Sequence, residues 1–104
     1  MDFDGVLNTY TGWAGENELF EMREGCANFL EKLSETYNIS VFTTRKAKAV
    51  WKWLKKYDLD KFINDVTDTK IPAEFYIDDR AITFDGDFRN TFSNIEKFIP
   101  HWRK

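Results

Sequence analysis

Apolar residues recur along this chain with two alternating periods, and the alternation predicts a succession of short strands and helices. Residues 1–7 read as the end of a strand, preceded by almost nothing, since only Met1 stands before the first acidic residue. Residues 8–25 are polar and broken by Gly12 and Gly15, which predicts a long loop or flap around Trp13. From Cys26, apolar positions at 26, 29, 30, 33 and 37 share one helical face, with Gly25 as the entry turn and Asn38 as the stop. Residues 39–42 form a β-rich run ending in Thr43, Thr44 and Arg45, and helical spacing returns over 46–57 through Ala47, Val50, Leu54 and Tyr57. A weaker strand is expected at 62–66. A buried-type strand follows at 75–77, running into Asp78 and Asp79, and a fifth at 81–84 is closed by Asp85 and Gly86. Phe92, Ile95, Ile99 and Trp102 give a last helix from Thr91, which Pro100 should bend or end.

Strands alternating with helices imply βαβ units and a mostly parallel sheet, whose chemistry gathers where the strands end. Each of three expected strands ends in a residue suited to phosphate or metal: Asp2 and Asp4, then Thr43, then Asp78 and Asp79. Side chains two apart on a strand share a face, so Asp2 and Asp4 can converge on one ion and one phosphoryl group. With Lys70 just before the 75–77 strand, one sheet edge would hold carboxylates for a hard cation such as Mg²⁺, and a hydroxyl and an ammonium for phosphoryl oxygens.

Composition narrows the setting. A chain of 104 residues buries roughly two-thirds of its unfolded surface, enough for one core, so 1–104 is read as a single domain. Aromatic residues make up 17%, with ten Phe and four Trp, which excludes a disordered tail and points to a core of large rings. The net charge of -3, with both signs interspersed, offers no footprint for non-specific binding to duplex nucleic acid. The lone cysteine, Cys26, cannot form an internal disulfide, and neither a leader pattern nor a span of about 18 apolar residues is visible. A cytoplasmic, reducing location is expected, with no membrane partner.

These motifs together resemble those of the haloacid dehalogenase superfamily phosphatases. Asp2-Phe3-Asp4-Gly5-Val6 matches the first motif, residues 39–43 ending in Thr43 the second, Lys70 the basic third, and Ile77-Asp78-Asp79 the acidic fourth. The resemblance implies a three-layer, Rossmann-like fold around a central, mostly parallel sheet. It further implies Mg²⁺-dependent hydrolysis of phosphomonoesters, in which Asp2 forms an aspartyl phosphate while Asp4 protonates the leaving group and then activates water. Thr43 and Lys70 would hold the transferring oxygens. Asp2, the Asp4 carbonyl and Asp78 would bind the ion, and Asp79 would reach it through water or pair with Lys70. The gaps on either side of the second strand are too short for a cap domain, so the resemblance is to minimal, uncapped members acting on bulky phosphorylated substrates or borrowing a lid within a homo-oligomer. Several hydrophobic residues precede the first Asp in that family and only Met1 does here, so either an upstream segment or a thinned sheet centre is expected.

Simpler roles stand beside these. Thr44 rivals Thr43 for the hydroxyl, and Lys70 could be an ordinary surface lysine. Arg45 and Arg80 are as well explained by surface ion pairing. Trp51 and Trp53 suit helix packing, Cys26 suits a core, the Asp85–Asp87 spacing around Gly86 suits a turn, and His101 has no partner in view. The alternative function is a degenerate domain that binds phosphate, nucleotide or a protein without turnover, or a polynucleotide-end phosphatase in which nucleic acid is only a substrate end and Trp13 stacks on a base.

Overall fold

The computed structural model describes residues 1–103. In chain order it contains α1 (Cys26–Ser34), β1 (Ser40–Phe42), α2 (Ala47–Lys56), β2 (Asp65–Thr67) and α3 (Phe88–Lys97), with 3₁₀ turns at Asp60–Phe62 and His101–Arg103. This is a small α/β arrangement of three helices and a two-stranded parallel sheet. β1 and β2 pair in register, Ser40 opposite Asp65, Val41 opposite Val66 and Phe42 opposite Thr67, with α2 as the crossover that parallel pairing demands.

The first residues extend the order of the sheet without forming a strand. Asp2 makes an isolated parallel bridge to Phe42. The Met1 nitrogen donates to Ser40 O at 2.8 Å and Phe42 N donates to Met1 O at 2.8 Å, while Asp2 N reaches Ile77 O on the other side, also at 2.8 Å. The lanes therefore run 75–77, 1–2, β1, β2. The expected strands at 75–77 and 81–84 are not formed among the described residues. A strand persists only where its backbone groups find a ladder. Residues 75–77 have one such bond, to Asp2, and 81–84 lie largely exposed beyond them. Of the broad sheet expected, the pair β1–β2 is formed among the described residues, an α/β arrangement compatible with part of the expected three-layer fold. The strand expected at 62–66 is displaced to Asp65–Thr67, because the turn at Asp60–Phe62 occupies its first residue.

The core explains which helices are fixed. Phe3, Leu7, Leu30, Val41, Val50, Leu54 and Leu59 are completely or almost completely buried, and each such side chain contributes roughly 1.5–3 kcal/mol relative to exposure. α1 brings in Cys26 and Leu30, and α2 brings in Val50, Trp53 and Leu54, with the Phe3 ring set edge-on to Trp53 at 4.9 Å. α3 forms for another reason. It starts three residues before the expected Thr91, because the Asp87 carboxylate caps it by accepting from Arg89 N at 2.8 Å and Asn90 N at 3.2 Å. Its apolar side chains Phe88, Phe92 and Ile95 stay exposed.

Candidate active site

The chain turns sharply straight after its first acidic pair. Gly5 has φ of 84°, a left-handed conformation that side chains disfavour. A Cβ there would overlap Asp79 Oδ2 and lie 3.2 Å from Trp102 Nε1. Glycine is what lets residues 78–79 and the C-terminal turn close onto residues 2–4.

Asp2, Asp78 and Asp79 each place a carboxylate oxygen within 4.8 Å of the others. Crowding acidic groups in a half-buried place disfavours their ionisation. Burial, followed by a hydrogen bond with Asp79 and the charges of Asp78 and Asp79, pushes the Asp2 carboxyl up to about 8. Asp79 Oδ2 accepts from Trp102 Nε1 at 2.6 Å, but its buried Oδ1 has no hydrogen-bond partner. Asp78 Oδ1 accepts from Arg80 N at 2.7 Å and remains exposed. An unsatisfied buried carboxylate oxygen beside a carboxyl held protonated by its neighbours is an arrangement that a divalent cation relieves, and the donor set, all oxygen, fits a hard ion.

Asp4 stands beside this triplet without joining it. Its Oδ2 accepts from Arg45 Nε at 2.8 Å and its Oδ1 from Asn8 Nδ2 at 3.0 Å. Together with the acidic cluster it lines a cleft of about 250 Å³ that also includes Tyr10, Trp13, Thr44 and Arg80. Thr43 is buried and does not line that cleft; its hydroxyl accepts from Arg45 N at 3.1 Å. Lys70 does not line it either. Its ammonium lies 4.4 Å from the centre of the Tyr76 ring, in the wall of a larger cavity of about 840 Å³ that the cleft adjoins at Asp2 and Asp78. The fold therefore brings Asp2, Asp4, Asp78 and Asp79 to one cleft and leaves Thr43 and Lys70 outside it.

Several residues in this neighbourhood carry more than the sequence suggests. Asn8, completely buried, accepts at Oδ1 from Gly5 N (2.9 Å) and Tyr10 N (3.1 Å) and donates from Nδ2 to Asp4 and to Leu19 O (2.8 Å). Its signal is an amide set between apolar Val6, Leu7 and Tyr10. His101 Nε2 donates to Gly5 O at 2.8 Å, the carbonyl being able only to accept, and Trp102 packs edge-on against Tyr10 at 5.2 Å. No local pattern marks these two, because their partners lie about a chain length away. The flap folds back on itself, with Asn8 bridged to Met22 and Thr9 N donating to Glu21 O at 2.9 Å.

Comparison with curated proteins and with solved structures gives no match. A family model, described as NLI interacting factor-like phosphatase, matches residues 3–97. That match spans both the turn that follows Asp2 and the Asp78–Asp79 pair at the cleft, so the chain belongs to the NLI interacting factor-like phosphatase family, hydrolases of the haloacid dehalogenase-like kind.

Proposed function

We propose that this phosphatase hydrolyses phosphomonoesters through an aspartyl phosphate on Asp2, in a Mg²⁺-dependent reaction. The observation that carries the reading is the acidic triplet with its partnerless Asp79 oxygen and an Asp2 carboxyl displaced to about 8. Asp2, Asp78 and Asp79, with the Asp4 carbonyl, would hold the ion. When bound, the cation offsets the negative charge between Asp2 and an approaching phosphate and holds Asp2 ionised. An Asp2 oxygen attacks phosphorus and the bond to the ester oxygen breaks, while Asp4 delivers a proton to that oxygen. Water then attacks phosphorus, losing its proton to Asp4, and the Asp2–phosphorus bond breaks to release phosphate. Arg80, which lines the cleft, is placed to meet phosphoryl oxygens, and the Thr43 and Lys70 roles require movement of both residues toward it.

Trp13 of the flap and Arg80 both line the cleft, and among the described residues only the flap, α1, β1, α2, β2 and short turns separate Leu7 from Lys70. We read residues 1–104 as one uncapped domain that admits bulky phosphorylated substrates, a polynucleotide end included. A cytoplasmic location and a homo-oligomeric lid belong to the same reading. No helix among the described residues is long and apolar enough to cross a membrane.

A second reading rests on the position of Lys70 over Tyr76: a domain that binds a phosphorylated partner without turnover. Hydrolysis of 4-nitrophenyl phosphate with Mg²⁺ and with EDTA separates the two. We expect turnover that needs the cation and falls more than roughly a thousandfold in Asp2→Asn, as for removal of a covalent nucleophile. Turnover retained in the purified variant would overturn the mechanism, and phosphate binding without any turnover in the wild type would select the second reading.

A further inference from the structure

Arg45 is a charged residue with its side chain 97% out of solvent, lying outside the acidic cluster, and it has no part in the mechanism above. Its five guanidinium donors are distributed over two parts of the molecule. Nε donates to Asp4 Oδ2 at 2.8 Å. The two terminal nitrogens reach the flap, NH1 to Glu16 O at 3.1 Å and Gly15 O at 3.4 Å, and NH2 to Glu18 O at 2.9 Å. The Trp13 ring, 63% exposed at the mouth of the cleft, stands 4.9 Å from the guanidinium carbon. The other Asp4 oxygen is tied in the same manner, since Asn8 Nδ2 donates both to Asp4 Oδ1 and to Leu19 O. Both oxygens of Asp4 are thus held by donors that also hold flap carbonyls.

We propose that Arg45 is a positioning residue that locks residues 15–18 of the flap to the Asp4 carboxylate, so that closure of the flap and alignment of the proton donor are one event. The proposal rests on the role given to Asp4 above. The rigid planar fork is what serves here: its donors point in fixed, diverging directions, whereas a lysine ammonium offers three donors from one point and cannot span Asp4 and three carbonyls. An open flap leaves Asp4 free to rotate away from the leaving oxygen. A closed flap sets Trp13 beside the cleft and Asp4 against the ester.

The consequence depends on the leaving group. 4-Nitrophenolate departs without protonation, whereas an alkoxide needs the proton that Asp4 supplies. With Mg²⁺ present, Arg45→Lys should therefore lower kcat on an alkyl phosphate by at least about tenfold more than on 4-nitrophenyl phosphate, a fraction of what a positioned acid provides. Glutamyl endopeptidase should also cut the variant faster after Glu16 and Glu18 than it cuts the wild type. Lys46→Ala, which removes only the exposed 3.9 Å contact to Glu16, should leave both readouts unchanged. Equal loss on the two phosphates, or flap cleavage at the wild-type rate, would overturn the proposal. If Arg45→Lys does not fold, Asp4→Asn loosens the same tie from the other side, and its flap cleavage decides the matter in place of the first variant. Absence of wild-type turnover on both phosphates would count against the proposed function, while the cleavage rates would still judge the lock.

Discussion

Asp2 concentrates the competing forces of the site in one side chain. Its carboxyl stands at about 8, against an ordinary value of 3.8, through burial first and acidic neighbours second. The folded protein therefore holds a proton there that the unfolded chain has lost throughout the interval between those values, and stability falls as pH rises across it. Thermal melts without divalent cation should show the melting temperature declining from acidic pH toward pH 8. Adding Mg²⁺ should oppose that decline, with the larger gain at higher pH where ionised Asp2 is otherwise penalised; a gain independent of pH would refute the coupling. Asp2→Asn removes the penalty outright, so the variant that loses turnover should melt at least as high as the wild type in EDTA. Asn8 works in the opposite sense. All four of its hydrogen bonds are internal, so Asn8→Leu strands the Gly5 and Tyr10 amides and one Asp4 oxygen, at about 1–3 kcal/mol for each buried group left unpaired. Urea unfolding of that variant measures the loss.

At the scale of elements, α2 and α3 have similar lengths and opposite supports. α2 is held by its buried face, in which Leu54 is fully enclosed and Trp53 Nε1 also donates to Phe20 O at 2.9 Å, joining the helix to the flap. Leu54→Ala should lower global stability by about 2–5 kcal/mol, read from the cooperative transition in urea. α3 is held by the Asp87 cap and by its own backbone. Asp87→Ala should cost about 1 kcal/mol of local helix stability, seen as reduced helical ellipticity with an unshifted cooperative midpoint. A midpoint shift as large as that of Leu54→Ala would mean that α3 belongs to the same cooperative unit as the core.

Across the whole molecule, the two halves of the chain contribute unequally. Every residue of the hydrophobic core cluster lies between Phe3 and Val66, and the radius of gyration of 14.7 Å exceeds the roughly 13 Å of a fully compact chain of this length. The later half returns to the core at a few points: Ile77 O on Asp2 N, Trp102 on Tyr10, His101 on Gly5. The acidic cluster is one of these junctions, since Asp2 belongs to the first half and Asp78 and Asp79 to the second. Limited trypsin digestion should therefore cut first at Arg80, Arg89 and Lys97, before Arg45 and Lys52, and Mg²⁺ should slow the cleavage at Arg80 by drawing its segment onto Asp2. Cleavage at Arg80 that ignores the cation would show that the triplet does not bind it.

Local pattern was enough to place α1, β1 and α2, because a periodic apolar face or a short β-rich run needs no distant partner to be recognised. The motif order from Asp2 to Asp79 was likewise visible, and so were the superfamily and the phosphatase activity. Pairing was beyond it. Residues 75–77 and 81–84 have the composition of strands, yet a ladder forms only where neighbouring backbone offers donors and acceptors in register, and here Asp2 alone does so for Ile77. The division of labour around the cleft was equally a matter of tertiary contact. Whether Arg45 faces solvent or spans Asp4 and the flap, whether Lys70 meets the cleft or Tyr76, and whether a tryptophan near the end of the chain reaches Asp79 depend on which surfaces meet. Sequence determined the chemical identity of these groups; only the fold, by bringing residues 2, 4, 45, 79 and 102 together, decided which of them act on one another.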